Sequence, residues 1–552
     1  MTLIEAEGLN VCYLRADGSA QPAVIDASFA LRAGESVGIV GESGSGKSTL
    51  ARALVGHTRP GGNIVSGRVR LEGRDIASLD RRQMHAVRGG TVAFVPQNPL
   101  SSLTPHLRVG GQVAEAVRTH RRCGRAEARD VVLELFAATN LPSPATLYDR
   151  FPHELSGGQR QRVVIAAALA GSPRLVILDE PTTALDKSTE VQVLELVQKL
   201  RARMQASLIY VSHDLNVVSQ MCDRVLVMLS GRIVESGETA RVYRAPENDY
   251  TRCLIASIPR ADHASARPAI ASIGPPLLAL RDIGFRYPAR RRFLRAPADE
   301  GFALQALDIE VRRGETVGLV GESGSGKSTA AAIVAGLLAP GSGRIEFEGR
   351  PLPGLVANRA PEVRRRIQMI FQDPLSSLNP RHRVGEILAR PLTLFHRIGA
   401  AEARARALAL LDRLQLDRAL IDSYPRQLSG GQQQRVAIAR AFAADPALIV
   451  CDEITSALDV SVQAQVLALV KALQRDSGIA CLFISHDLGV IRQMADHVVV
   501  LQDGVVRESG AAEKVFERPQ HPYTRLLLDA ATRGYSRLPQ PSVPEARRNI
   551  VA

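Results

Sequence analysis

Gly41-Glu42-Ser43-Gly44-Ser45-Gly46-Lys47-Ser48-Thr49 occurs twice in this chain, returning letter for letter as Gly321-Glu322-Ser323-Gly324-Ser325-Gly326-Lys327-Ser328-Thr329. Each copy follows a short apolar run, residues 36–40 or 316–320, that reads as a strand, and each precedes a stretch that reads as a helix. In that setting the pattern G-x-x-x-x-G-K-[ST] is a phosphate-binding loop. Its glycines permit positive φ and close backbone approach, so that successive N–H groups and the following helix N-terminus face a polyphosphate. On this reading Gly41, Ser43, Gly44, Gly46 and Thr49 form one cradle, and Gly321, Ser323, Gly324, Gly326 and Thr329 the other. Lys47 and Lys327 reach the β- and γ-phosphates, and Ser48 and Ser328 ligate magnesium. A single copy could be a chance glycine-rich turn; two identical copies in matching settings exclude that.

Composition sharpens the role of the lysine. Of 69 Lys plus Arg only six are lysine, and two of the six sit in these loops. A compact ammonium on a flexible stem suits the cradle, and a planar guanidinium does not. At 552 residues with an internal repeat, the chain reads as two large halves, each long enough to bury a full core. Hydrophobic residues at 45% and charged residues at 23% describe an ordinary globular protein. No apolar run approaches the roughly 18 residues needed to cross a bilayer. The start lacks a basic n-region and an h-region, which predicts no secretory leader and a cytoplasmic chain that meets the membrane through partners. The formal charge of +13 invites a nucleic-acid reading, but the arginines alternate with acids along helices and cluster only at 290–292 and 364–366. We read them as a solvated face. The six cysteines show no zinc spacing and are read as buried reduced thiols.

Taken in order, the chain opens with a strand ending at Tyr13, matched by Tyr287 in the repeat; an aromatic there stacks on adenine or merely packs at a rim. After the phosphate loop come Pro96-Gln97-Asn98-Pro99 and Phe371-Gln372-Asp373-Pro374, where Gln97 and Gln372 can contact magnesium and attacking water. Stretches 111–139 and 384–417, rich in Ala, Arg, Glu and Leu, read as an inserted helical subdomain. Then Leu155-Ser156-Gly157-Gly158-Gln159 is matched by Leu428-Ser429-Gly430-Gly431-Gln432, a hydroxyl and bare N–H groups at a helix start that serve an anion or simply cap the helix. Two buried-type strands end in Asp179-Glu180 and Asp452-Glu453, where the aspartate holds the magnesium shell and the glutamate polarises water. Strands ending in Ser212-His213 and Ser485-His486 supply a γ-phosphate contact. The lysines are 280 positions apart, whereas the signature glycines, the aspartates and the histidines are each 273 apart. The halves therefore differ in length only early, as a duplicated domain would.

These motifs, in this order, resemble the nucleotide-binding domains of ABC ATPases, and the resemblance covers nearly the whole chain twice. It implies an α/β P-loop NTPase domain with a helical subdomain, duplicated in tandem: 1–260, a proline-dotted linker at 261–276, and 277–552. It implies ATP and Mg2+ as ligands, with Glu180, His213, Glu453 and His486 catalytic. The metal shell would be Ser48, Gln97 and Asp179 in one half and Ser328, Gln372 and Asp452 in the other. In that family each ATP lies between the P-loop of one domain and the LSGGQ signature of the other. Ala184-Leu185-Asp186 and Ala457-Leu458-Asp459 match its D-loops. His521-Pro-Tyr-Thr524, echoed at Asn248-Asp-Tyr-Thr251, looks like the dipeptide/oligopeptide/nickel importer ATPases, here a D-type half fused to an F-type half. That points to peptide import, with two transmembrane permeases and an extracytoplasmic solute-binding protein as partners, on the cytoplasmic side of the inner membrane and without nucleic acid. Nickel, glutathione and oligosaccharide remain alternatives for the cargo. A translation factor of the ABC-F kind would carry a long charged helical linker, which this sequence lacks. The only asymmetry near the chemistry is read as Pro181 against Ile454, so both sites are expected to hydrolyse ATP.

Overall fold

The computed structural model describes residues 1–15, 18–182, 187–257, 274–288, 302–456 and 458–532. Most of the linker, the D-loop residues at 184–186 and 457, and the tail beyond 532 lie outside the described residues. The chain forms two compact units, one in each half.

Each half holds a six-stranded sheet beside a four-stranded antiparallel one. In the first half the larger sheet runs, edge to edge, Arg232–Glu238, Arg224–Leu229, Ser36–Val40, Ser207–Ser212, Leu175–Asp179 and Val92–Val95. All neighbours are parallel except the Arg232–Glu238 edge. The second half repeats this with Val505–Ala511, His497–Gln502, Thr316–Val320, Ala480–Ile484, Leu448–Asp452 and Ile367–Ile370. These strands are near-continuous apolar runs because both faces are covered. Val37 and Ile39 point into the core shared with the antiparallel sheet, while Val40 joins the core under the helices, as the two-residue period of a strand requires.

Register places the motifs. Val40 pairs with Ser212 and Asp179 with Val211, so the residues that follow, Gly41, Glu180 and His213, emerge together at the carboxyl edge of adjacent strands. The P-loop strand sits where the chain has passed to both sides of it, the crevice position for ligands in open α/β sheets. The helical insertion appears as Val109–Arg121 and Arg125–Ala138, and as Val384–His396 and Ala400–Arg413, packed on the signature helices Gly157–Ala168 and Gly430–Phe442.

Gly38, mid-strand, lets the helix Leu215–Met221 lie directly on the sheet: an added Cβ would come within 2.1 Å of Val218 Cγ1. Gly38→Ala should therefore destabilise the first half by about 1–3 kcal/mol through overpacking, and calorimetry showing an unchanged midpoint would refute this packing account.

Two sequence readings need correction. Of the six free cysteines, Cys222, Cys451 and Cys481 are buried, but Cys12 and Cys123 are only half-buried and Cys253 is exposed. Cys253 lies on the amphipathic helix Asp249–Ala256, whose inner face is filled by Thr251, Leu254 and Ile255. The arginine run 364–366 is not simply solvated. Arg366 grips Glu348 through two bonds of 2.5 and 2.6 Å, Arg365 pairs with Glu362 at 2.7 Å, and Arg364 donates to the Arg359 carbonyl. Arg365 and Arg366 are thus half-buried and paired with acids, whereas Arg364 stays exposed.

Candidate active site

The P-loop geometry follows from its glycines. Gly46 has φ near 99°, and an added Cβ would meet the Ala23 carbonyl at 2.2 Å, so only glycine fits before Lys47. Lys47 Nζ donates to the Gly41 and Glu42 carbonyls at 2.7 and 2.8 Å, and Lys327 does the same to Gly321 and Glu322 at 2.8 and 2.7 Å. Both lysines are only 4% exposed. Burial pushes the Lys47 pKa below its ordinary value, although the Glu180 carboxylate works against that shift.

Ser48 Oγ donates to Asp179 Oδ1 at 2.6 Å, and Ser328 Oγ to Asp452 Oδ1 at 3.3 Å. Burial raises the pKa of both aspartates. Glu180 and Glu453, one residue past the strand, share φ near 47°, a left-handed conformation costly for a residue with a side chain. Their N–H groups still bond the neighbouring strand, at Val211 and Ile484, so the turn is held while the carboxylate is redirected. There Gln97 Nε2 donates to Glu180 Oε2 at 2.8 Å, and His213 Nδ1 lies 3.5 Å from the same oxygen. The second half repeats the triad, with Gln372 at 3.0 Å and His486 at 3.4 Å from Glu453 Oε2. Burial disfavours the charged His213 ring, but Glu180 more than offsets it, and the histidine pKa lies above its usual value.

Within each half, lysine, serine, aspartate, glutamate, glutamine and histidine thus converge on one strand edge. The signature residues do not join them there. Ser156 and Ser429 close capping boxes with Gln159 and Gln432, the hydroxyl accepting from the glutamine N–H at 3.3 Å in both. Capping is therefore met, and it uses the hydroxyl as acceptor, which leaves its proton to donate elsewhere. Gly157 and Gly430 begin the helices; at Gly158 and Gly431 an added Cβ would meet Thr189 and Val462 at 2.5 and 2.6 Å, so these two glycines also serve packing. The tyrosines differ. Tyr287 is half exposed, edge-on to Phe285, with its hydroxyl 3.1 Å from Thr329 Oγ1. The Tyr13 ring packs on Gly62, and no hydrogen bond among the described residues joins it to Thr49.

The family described as ABC transporter matches residues 24–183 and 304–456. A glutathione import ATP-binding protein, GsiA, of Escherichia coli O157:H7 is 40% identical over 96% of this chain and 89% of its own. The chain belongs to the ABC transporter ATP-binding family. A peptidoglycan transport ATP-binding protein, YejF, of Agrobacterium fabrum is 41% identical to this ABC ATPase over 96% of each chain. Among solved structures, a dimeric post-hydrolysis state of the ATP-binding cassette MJ0796 with ADP and Pi is 27% identical, covering 43% of this chain and 99% of that one at a TM-score of 0.39. The oligopeptide/dipeptide transporter C-terminal region matches twice, at 234–297 and 507–549. Among the described residues no helix of this ABC ATPase is long and apolar enough to cross a membrane.

That C-terminal region supplies a contact the sequence did not reveal. Asn248 Oδ1 and His521 Nδ1 accept the N–H of the tyrosine two positions on, at 2.9 and 3.1 Å, setting the start of each helix. Glu235 and Glu508 accept the N–H groups just before, from Glu247 and Asn248 and from Gln520 and His521. So anchored, Tyr250 and Tyr523 reach back to the P-loops, their hydroxyls accepting the N–H of Glu42 and Glu322 at 3.0 and 3.1 Å. Tyr523→Phe should weaken ATP binding to the second half severalfold, because an orphaned, part-buried N–H costs about 1–3 kcal/mol. Unchanged ATP affinity in equilibrium binding would show that the hydroxyl does not position the loop.

The halves also differ near the chemistry at more than Pro181 and Ile454. Arg52, five residues past the P-loop lysine, pairs with Asp179 Oδ2 at 3.3 Å. The equivalent position is Ala332, which cannot pair with Asp452. Comparing the two copies residue by residue past the motif was the signal that could have found this.

Proposed function

We propose that this chain is the ATP-hydrolysing subunit of a binding-protein-dependent importer of peptides, docked on two permeases at the cytoplasmic face of the membrane. The observation that carries this reading is the same hydrolytic constellation built twice, with an oligopeptide/dipeptide-type segment bonded to each P-loop. The relatives named for glutathione and peptidoglycan transport support a cargo containing peptide bonds.

In this reading Lys47 and Lys327 leave their loop carbonyls for the ATP phosphates, cradled by the loop N–H groups. Ser48, Asp179 and Gln97, and Ser328, Asp452 and Gln372, offer hard oxygen donors of the kind Mg2+ takes, so the residues fit that ion. When bound, Mg2+ supplies charge neutralisation at the β- and γ-phosphates. Glu180 and Glu453 orient and polarise the attacking water, held by Gln97 or Gln372. His213 and His486 stand beside that carboxylate to meet the γ-phosphate. Tyr13 and Tyr287 stack on adenine, and the signatures, Ser156 to Gln159 and Ser429 to Gln432, meet phosphate.

The test is to purify the chain with its co-encoded permeases and binding protein, and to identify the ligand the binding protein carries by mass spectrometry. A peptide that stimulates ATPase activity in the reconstituted transporter is expected. A metal ion or a sugar in its place would sink the peptide assignment.

A further inference from the structure

Arg52 reaches the buried carboxylate of the first half from one side. Its side chain is 13% exposed, that of Asp179 is 0% exposed, and the pair is 3.3 Å apart. The guanidinium is steadied by the Phe94 ring, 6.0 Å from its centroid. Asp179 thus divides its oxygens, Oδ1 taking the Ser48 proton at 2.6 Å and Oδ2 taking Arg52. In the second half both supports are gone: Ala332 stands for Arg52 and Met369 for Phe94, and Ser328 lies further from Asp452, at 3.3 Å. Apart from Pro181 against Ile454, the two sites therefore differ chiefly by a fixed, desolvated positive charge paired with the aspartate, to which Arg59, replaced by Ala339 in the second half, adds a weaker attraction.

From this geometry we infer that Arg52 makes the first ATP site less dependent on divalent metal than the second. The inference rests on the reading of Asp179 and Asp452 as part of the metal shell. The physical case is electrostatic. ATP without metal carries its full negative charge, and a buried bare carboxylate at the end of the strand opposes it. Arg52 compensates that carboxylate in the first half, so metal-free ATP meets less repulsion there. The same cation also repels an incoming Mg2+ and occupies one oxygen of its aspartate, so the gain on adding metal shrinks. Both effects lower the ratio of ATP affinity with metal to affinity without it. In the second half Asp452 lacks such an arginine and has the Lys327 ammonium as its compensating cation, so more of its charge is left for the metal to neutralise. Arg52 is thus a positioning residue acting through Asp179, and the two halves load nucleotide with unequal metal requirements.

The test uses the full-length chain with turnover blocked by Glu180→Gln and Glu453→Gln. Lys327→Ala is added to leave only the first site binding, or Lys47→Ala to leave only the second. A fluorescent ATP analogue is titrated with Mg2+ and again with EDTA, and the ratio of the two affinities is the readout. We expect the ratio at the first site to be lower by about five- to tenfold, the size of effect a partly screened unit charge gives at this range. Arg52→Ala should raise it to the level of the second site, and Ala332→Arg should lower the ratio at the second. Loss of packing alone would change both affinities together and leave the ratio fixed. If Arg52→Ala fails to fold, as a lowered calorimetric midpoint would show, Ala332→Arg decides. Equal ratios at the two sites, or ratios indifferent to Arg52 and Ala332, would overturn the inference with the ATP sites intact. Failure of both isolated sites to bind the analogue would instead overturn the underlying site reading.

Discussion

Replacing Glu180 and Glu453 together with glutamine is expected to abolish ATP turnover while leaving ATP bound. Each carboxylate sits at the end of a buried strand in a left-handed backbone conformation, with a glutamine amide at 2.8 or 3.0 Å and a histidine at 3.5 or 3.4 Å on one of its oxygens. Strain of that kind persists where the surroundings over-determine it, and here neighbouring-strand hydrogen bonds from the glutamate N–H do so in both halves. Glutamine keeps the shape and loses the charge that draws a proton from water. A positioned proton acceptor contributes roughly 100- to 10,000-fold to a rate, so turnover should fall by that order. Neither substitution touches Lys47, Lys327 or the loop N–H groups, and ATP affinity should hold. The measurement is ATPase activity of the purified transporter beside equilibrium ATP binding. Activity above about a tenth of wild type would remove these residues from the role, since that exceeds what a lost general base permits.

How much of this was readable beforehand depended on the range of the interaction. The nine-residue repeat, the Asp-Glu strand ends and the histidines carry their meaning in local order, and parallel strand register then brings Val40, Asp179 and Ser212 to one edge. The left-handed turn at Glu180 was not legible, because glutamate has no local preference for it and the strand ladder imposes it. Tyr523 was visible as part of a motif, but its bond to Glu322 joins residues 201 apart and needs the fold to exist. Arg52 reads as one more helix arginine until Asp179 is seen opposite it. The exposed Cys253 was misread because cysteine composition favours burial, whereas its place on the outer face of an amphipathic helix decides otherwise.

Arginine is expected not to rescue either P-loop lysine. Lys47→Ala and Lys327→Ala should each remove ATP binding from the half that carries them, and Lys47→Arg and Lys327→Arg should do nearly the same. The argument is steric and electrostatic together. Each ammonium sits in a slot 4% exposed, bonded to two loop carbonyls within 2.8 Å. A guanidinium is larger, planar and forked, and cannot turn within that slot from its own loop to a phosphate as three rotatable ammonium protons can. The chain itself is consistent with this demand, since arginine supplies nearly all its other cations, yet both loops keep lysine. Hydrogen bonds to charged groups contribute about 1.5–3 kcal/mol each. Losing two such contacts to phosphate should weaken binding by roughly a hundredfold or more at 1.4 kcal/mol per decade. Isothermal titration with a non-hydrolysable ATP analogue, performed on the four single variants, resolves the loss of one site from the loss of both. Two full-affinity sites in either arginine variant would show that positive charge alone is what the loop requires, and that the scarcity of lysine elsewhere in the chain has no bearing on the site.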